Sequence, residues 1–513
     1  MFDIQGCYQR GISMQNRIIK YILFSMLLWG LYLTPTSNVP SGIHQESILL
    51  SDHSMNDTTV SQCSCQCSYC TDMDSVTRSK QEQDQKEDMD ETMRSRTGQK
   101  SWTILVYMAA DNGLRRFAIR NIQEMAKIGS NEHFNLLVHL DIINGNEKIS
   151  EFYYIEKNNV VQINVYPEDI LPMDSGNPQT LLEFCKHGLT GFPAKHYLLI
   201  LWNHGTGTIN PRYGRFINPS LLFSYNPLTH KLDLDRSVGY LDLVAEEIGN
   251  FRGICWDDST GNYLSNEMLA KALKTICKRY LGGKKFDIIG FDACLMAMTE
   301  VYGLLKGCGD IVIGSQEVEL GTGWNYALLL MKLMQSVPSP EEFAQHIVVS
   351  YYKAYQSITN DYTLSAIRLS ALDQIENHIH RVATILKDSL SNSGTAETMS
   401  SIIRKSRDPR TCTHFDEPSY IDLYHFYDNL EKNIDQAKIS IPSNLYAGLK
   451  ECLQERQSLF RSLIIAHTSG KNLTHSHGIS IYFPFNKIHT SYQSNDFFKT
   501  NAWGNFLMQY LYA

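Results

Sequence analysis

The rhythm of apolar and polar positions changes three times along the chain. One apolar run, Tyr21-Ile-Leu-Phe-Ser-Met-Leu-Leu-Trp-Gly-Leu-Tyr-Leu33, follows Arg17 and Lys20. Residues 34–100 then show no hydrophobic period and mix charges freely, as in Gln-Glu-Gln-Asp-Gln-Lys-Glu-Asp. From Trp102 onward, continuous apolar runs alternate with amphipathic stretches.

The runs Trp102–Ala110, Phe134–Asp141, Tyr197–Trp202, Phe286–Phe291 and Ile311–Gly314 predict five strands. Between them Arg116–Lys127, Pro178–His187, Ser265–Tyr280 and Met296–Leu305 carry helical spacing. Strands that are apolar on both faces and separated by helices predict an α/β fold, its mostly parallel sheet covered on both sides. Beyond Asn325 the chain turns helix-rich. Glu341–Ala354, Leu372–Leu390 and Ile421–Asn433 keep the 3.6 period, and a late strand covers Gly478–Pro484. No internal repeat is visible.

The apolar run at Tyr21–Leu33 is too short for a comfortable membrane span and has the flanks of a signal peptide. We read residues 1–36 as a signal peptide, with a single-pass anchor as the alternative, and expect an exported protein. Residues 37–100 cannot bury enough apolar surface to offset their ordering entropy and read as a disordered, charged linker. The linker holds Cys63, Cys65, Cys67 and Cys70. Cys67 and Cys70 make a C-x-x-C pair without the second pair of a strong zinc signal, so local disulfides or surface thiols stand beside zinc. Seven later cysteines have no framework spacing and read as buried free thiols.

At 513 residues the chain has room for one large domain with appendages. A net charge of −8 gives no electrostatic case for nucleic-acid binding, and no nucleotide-binding glycine motif occurs.

In open parallel sheets, functional groups collect beyond the carboxyl ends of the strands. Two strand ends carry reactive side chains, in Asn203-His-Gly-Thr-Gly207 and in Asp292-Ala-Cys294. If those strands pair, His204 and Cys294 become neighbours, as a cysteine nucleophile and its proton carrier must be. Cys294 would also open the helix predicted to follow it, whose N-terminal dipole favours a thiolate. The backbone N–H groups of Gly205 and Cys294 would then be placed to receive an oxyanion. On the residues alone a packed core thiol and a turn histidine are equally good readings.

Several stretches together are more specific. Asn203-His-Gly-Thr-Gly207, Phe291-Asp-Ala-Cys-Leu-Met296 and Trp102-Thr-Ile-Leu-Val-Tyr-Met-Ala-Ala-Asp111 resemble the clostripain family of cysteine peptidases. So do Asp257-Asp-Ser-Thr-Gly-Asn-Tyr-Leu-Ser265, Gly314-Ser-Gln-Glu317, Gly323-Trp-Asn-Tyr326, Tyr420-Ile-Asp-Leu-Tyr424 and Gly478-Ile-Ser-Ile-Tyr-Phe-Pro484. They run in family order from residue 102 to the C-terminus.

The resemblance implies a caspase-like αβα sandwich, with residues 101–335 as catalytic core and 336–513 as a helix-rich region completing the fold. It implies His204 as general base and acid, Cys294 as nucleophile, and Asp292 as the S1 carboxylate that selects Arg or Lys; on the residues alone Asp292 also reads as a helix cap. Relatives carry a second acid just before the Gly-Trp motif, where this chain has Thr322.

The resemblance also implies maturation by cleavage between the His and the Cys, as is often the case in that family. Arg212, Arg215, Lys231 and Arg236 offer basic sites there, in what is otherwise an ordinary insertion loop. The expected partners are protein or peptide substrates, with membrane contact only through an uncleaved N-terminal anchor. No cofactor or metal is called for, and no EF-hand-like loop supports the calcium response known in relatives. The competing readings are a silent surface scaffold of the same fold and a transpeptidase that uses the same pair.

Overall fold

Where the chain is apolar on both faces, it forms the centre of a sheet. The computed structural model describes residues 98–210, 222–237, 239–241 and 253–512. The signal, linker and cysteine-cluster readings, and the candidate sites Arg212 and Arg215, lie outside these residues.

The first strands are β1 (Lys100–Ala109), β2 (Phe134–Asn144), β3 (Glu147–Glu156), β4 (Asn159–Gln162) and β5 (Ala194–Trp202). Short strands follow as β6 (Phe223–Asn226), β7 (Lys231–Leu234), β8 (Ile254–Asp257) and β9 (Asn262–Leu264). Then come β10 (Phe286–Asp292), β11 (Gly309–Gly314), β12 (Thr363–Arg368), β13 (Tyr420–Asp422), β14 (Ile464–Ser469) and β15 (Ser480–Tyr482).

Nine of these build the main sheet in the order β14-β12-β11-β10-β5-β1-β2-β3-β4. Its centre, β2-β1-β5-β10-β11, is parallel throughout. Antiparallel strands extend both edges, β3 and β4 on one side and β12 and β14 on the other. Residues beyond 335 thus supply two strands of the same sheet.

Alternate residues of β1 show how the sheet is covered. Trp102, Ile104, Val106 and Met108 share one apolar cluster with Ala118, Ile122 and Met125 of helix Arg115–Ile128 and with Leu329 and Leu333 of helix Tyr326–Gln335. Tyr107, on the opposite face, packs its ring 5.9 Å from Phe184 of helix Pro178–Gly191. Two-sided burial is why the central strands read as unbroken apolar runs.

The structure departs from the sequence expectation in three places. The helix expected over Met296–Leu305 is only Thr299–Gly303. Leu295 adopts a left-handed φ of 61°, the Met298 N–H turns back onto the Met296 carbonyl at 2.9 Å, and Met298 bridges to Ser480, so no helix forms before Thr299. Cys294 therefore sits in a turn and opens no helix. The start of the Ile421–Asn433 helix is instead β13, paired with β15. The β2–β3 hairpin is additional; its Asn144 to Glu147 register leaves a two-residue loop with Gly145 at φ 66°, a turn signal present in the sequence.

Candidate active site

The site is assembled at the carboxyl ends of two neighbouring parallel strands. Trp202, the last residue of β5, is in register with Asp292, the last residue of β10. Asn203-His204 and Ala293-Cys294 consequently leave the sheet side by side. Asn203 locks its own turn: its amide donates to the Ala109 carbonyl at 2.6 Å, and its side-chain oxygen accepts from Trp256 N–H at 3.1 Å. Gly205 passes so close to the other turn that a Cβ would lie 2.5 Å from the Cys294 carbonyl oxygen. Only glycine fits there.

His204 and Cys294 line one cavity of about 220 Å³, together with Trp202, Tyr240, Asp292 and Glu319. Both are nearly buried, at 7% exposure each. The Cys294 sulfur accepts the Glu319 N–H at 3.2 Å. Burial raises the thiol well above its ordinary pKa, and the Glu319 charge adds to this; the Glu319 N–H and the Tyr240 hydroxyl oppose it.

Tyr240 occupies the space between the two turns. Its hydroxyl accepts the Gly205 N–H at 3.3 Å and lies 3.3 Å from His204 Nδ1. Its own backbone N–H donates to Asp416 at 2.6 Å. Asp416 is raised to about 7 by burial and by the neighbouring Glu317. Sequence reasoning gave no role to Tyr240, because nothing local in Val238-Gly-Tyr-Leu-Asp-Leu-Val-Ala245 signals where its ring will pack.

Asp292 lines the cavity and is 4% exposed. One oxygen accepts the Trp324 N–H at 3.0 Å and the other the Tyr326 hydroxyl at 2.8 Å. Gly323, at φ 59°, approaches so closely that a Cβ would lie 2.7 Å from the Asp292 carboxylate. Burial raises Asp292 to about 7, against the pull of these hydrogen bonds. The helix-cap alternative does not apply, since the short helix nearby is capped at Met298 and begins at Thr299.

Thr322 is turned away from the cavity: its hydroxyl meets Tyr355 at 2.8 Å, and its carbonyl accepts from Asn121 at 3.1 Å. The second acid in the cavity is Glu319, which sequence reasoning missed. It is 6% exposed, and its carboxyl adjoins the Asp292 carboxyl and the Trp324 side chain. Burial, then the charge of Asp292, pushes it well above the ordinary carboxylate range.

Of the candidate cleavage residues, Lys231 lies in the β6–β7 hairpin, its ammonium bonded to the Gln356 carbonyl at 2.7 Å and Asn360 at 2.8 Å. Arg236 pairs with buried Glu317 at 2.6 Å and with Asp361 at 3.5 Å. Cys185, Cys255, Cys277, Cys294, Cys308, Cys412 and Cys452 are free and buried. Among the described residues no helix is long and apolar enough to cross a membrane, and no group of three His, Cys, Asp or Glu is arranged to hold a metal.

The sequence pattern of the clostripain family matches residues 106–217 and 243–510. Clostripain of Hathewaya histolytica is 26% identical over 251 residues, 44% of this chain and 40% of that protein. The chain thus spans about 40% of the length of the curated relative it matches. A secreted C11 cysteine protease from Bacteroides thetaiotaomicron, solved with an irreversible peptide inhibitor, is similar in fold. Its TM-score is 0.50 at 21% identity, covering 79% of this chain and 99% of that one. An inactive zymogen C11 protease from Parabacteroides distasonis has a TM-score of 0.50 at 19% identity, covering 80% of this chain and 99% of that one. These two likenesses show the fold.

Proposed function

The chain belongs to the clostripain family of cysteine peptidases, and on that premise we propose that it is an exported endopeptidase that cuts protein or peptide substrates after Arg or Lys. The observation that carries this reading is the shared cavity of His204 and Cys294 at register-paired strand ends, with the Gly205 N–H donating to Tyr240, which lines it.

In the proposed reaction His204 takes the thiol proton, and the Cys294 sulfur attacks the scissile carbonyl carbon. The oxygen of the tetrahedral adduct receives the N–H groups of Gly205 and Cys294. His204 returns its proton to the departing amine, leaving a thioester on Cys294. Water, deprotonated by His204, then hydrolyses that ester and restores the thiol. This chemistry draws on a thiol, an imidazole and backbone N–H groups, and calls on no cofactor. Preference for basic side chains is supported by the two buried acids, Asp292 and Glu319, on the cavity wall.

The unprocessed chain is proposed to be blocked. The Tyr240 hydroxyl sits on the Gly205 donor that an oxyanion would need, beside His204 Nδ1. A protein of the same fold is described as an inactive zymogen. Cleavage between His204 and Cys294 would release the Tyr240 segment. Lys231 is held in a hairpin strand and Arg236 by an ion pair with a buried acid, which disfavours both as scissile residues. Arg212 and Arg215 are therefore the proposed sites. Export is supported by the apolar run at Tyr21–Leu33 and by a relative described as secreted.

Intact-mass analysis of wild type and Cys294→Ala tests the reading. The wild type should split between His204 and Cys294 while the variant stays whole. Two intact chains, with no turnover of peptides ending in Arg or Lys, would reject it.

A further inference from the structure

Cys294 opens no helix, so the dipole that would have favoured its thiolate is missing. The sulfur receives instead the Glu319 N–H at 3.2 Å, a bond that gains strength when the thiol ionises. That donor belongs to a loop laid along the cysteine turn in three steps. Ala297 N–H donates to the Ser315 carbonyl at 2.9 Å, Leu295 N–H to the Glu317 carbonyl at 3.3 Å, and Glu319 N–H to the sulfur. Every second residue of the loop thus meets the turn, in a row that leads from the end of β11 to the Cys294 sulfur.

The other contacts of this loop converge on one hydroxyl. Thr363, the first residue of β12 and 1% exposed, accepts on Oγ1 the Gln316 N–H at 2.9 Å and the Glu317 N–H at 3.0 Å. Ser315 Oγ lies 2.9 Å from the same oxygen. A hydroxyl has two lone pairs and one proton, so both acceptor places of Thr363 are taken and its proton goes to Ser315. Ser315 in turn donates to the Glu317 carbonyl at 2.8 Å and accepts the Glu317 N–H at 3.1 Å. The bonds therefore run one way, from Thr363 through Ser315 to the carbonyl that also receives Leu295 of the cysteine turn.

We propose that Thr363 is a positioning residue for the nucleophile: its hydroxyl holds the Ser315–Glu319 loop where the Glu319 N–H stays on the Cys294 sulfur. Resting on the reading of Cys294 as nucleophile, this role involves no contact with substrate. Valine in place of Thr363 would fill the same volume, leave the buried Gln316 N–H without an acceptor, and release the loop.

The titratable groups around the sulfur are His204, Tyr240, Asp292, Glu319 and Asp416, and Thr363→Val leaves all five in place. The test follows alkylation of Cys294 by iodoacetamide against pH, read by mass spectrometry, beside kcat and KM for a peptide ending in Arg or Lys. In Thr363→Val the midpoint of alkylation should move up by about one pH unit. At neutral pH kcat should fall about tenfold or more, while KM stays within about threefold of wild type. Thr363→Ser, which keeps the hydroxyl, should restore the wild-type midpoint. Ser315→Ala, which removes only the relay, should shift it in the same direction as Thr363→Val.

Thr103→Val is the control for lost stability alone. Thr103 is equally buried near the start of β1, its hydroxyl bonded to the Phe192 carbonyl at 2.7 Å, and its loss should leave the midpoint unchanged. An unshifted midpoint in Ser315→Ala, or in a folded Thr363→Val, overturns the role of Thr363 while the peptidase reading stands. So does an equal shift in Thr103→Val, or one that Thr363→Ser fails to reverse. A wild type whose Cys294 resists alkylation and that turns over no such peptide overturns the peptidase reading and this role with it.

Discussion

The backbone N–H of Glu319 points at the Cys294 sulfur from 3.2 Å, across a sequence separation of 25 residues. The proposed nucleophile and the buried acid beside it are thereby tied together. A shift of the Glu319 loop would therefore move the sulfur and the acid together, and catalytic sites lose rate steeply for small displacements.

The plug formed by Tyr240 gives the first prediction. In a chain kept whole by Arg212→Ala and Arg215→Ala, Tyr240→Ala should expose Cys294. Its alkylation by iodoacetamide, followed by mass spectrometry, should speed up by about tenfold or more. An unchanged rate would mean that Tyr240 does not guard the thiol.

The second concerns Gly205. A methyl group there would lie 2.5 Å from the Cys294 carbonyl oxygen, a backbone atom that cannot yield cheaply. Gly205→Ala should destabilise the chain by about 1–3 kcal/mol in urea unfolding and lower turnover of Arg peptides by about a hundredfold. Full activity in the variant would show that the two turns are not in contact.

The third concerns pH. Burial raises Asp292 from its ordinary 3.8 to about 7. Between those values the unfolded chain gives up this proton while the folded chain keeps it, so folding weakens as pH rises. The contribution approaches about 1.4 kcal/mol per pH unit and levels off above about pH 7. Asp292→Asn lacks it and should gain stability relative to wild type on going from about pH 5 to about pH 8. Parallel curves for the two proteins would contradict the raised value.

The fourth concerns the ion cluster behind the histidine turn. The Lys148 ammonium pairs with the buried carboxylates of Asp257, Asp111 and Asp141, lying 3.2 Å from Asp111 and 3.4 Å from Asp141. Asp257 ends β8, whose Trp256 holds Asn203 beside His204. Lys148→Met would strand buried charge and should destabilise by about 3–5 kcal/mol in urea unfolding. Peptidase activity should fall with it. A variant within about 0.5 kcal/mol of wild type would show that the cluster is dispensable.

What could be read from the sequence divides along a physical line. The central strands, and the places where His204, Asp292 and Cys294 leave them, follow from local patterns: apolar runs, glycines and a polar residue where each run stops. Glu319 and Tyr240 are different, because their meaning comes from long-range closure. Glu319 stands in Gln316-Glu-Val-Glu319, where nothing local separates it from Glu317, yet one acid faces the cavity and the other pairs with Arg236. The helix expected after Cys294 failed for a related reason. Its apolar spacing was genuine, but Leu295 turns left-handed and Met298 is drawn into a bridge with Ser480, a contact from late in the chain.

The most direct test of the account is to map every cut that the processed protein makes in an unbiased peptide mixture, beside its Cys294→Ala form. Cuts are expected after Arg or Lys, and none with Cys294→Ala. Cuts after neutral or acidic residues, or the same cuts with Cys294→Ala, would contradict it.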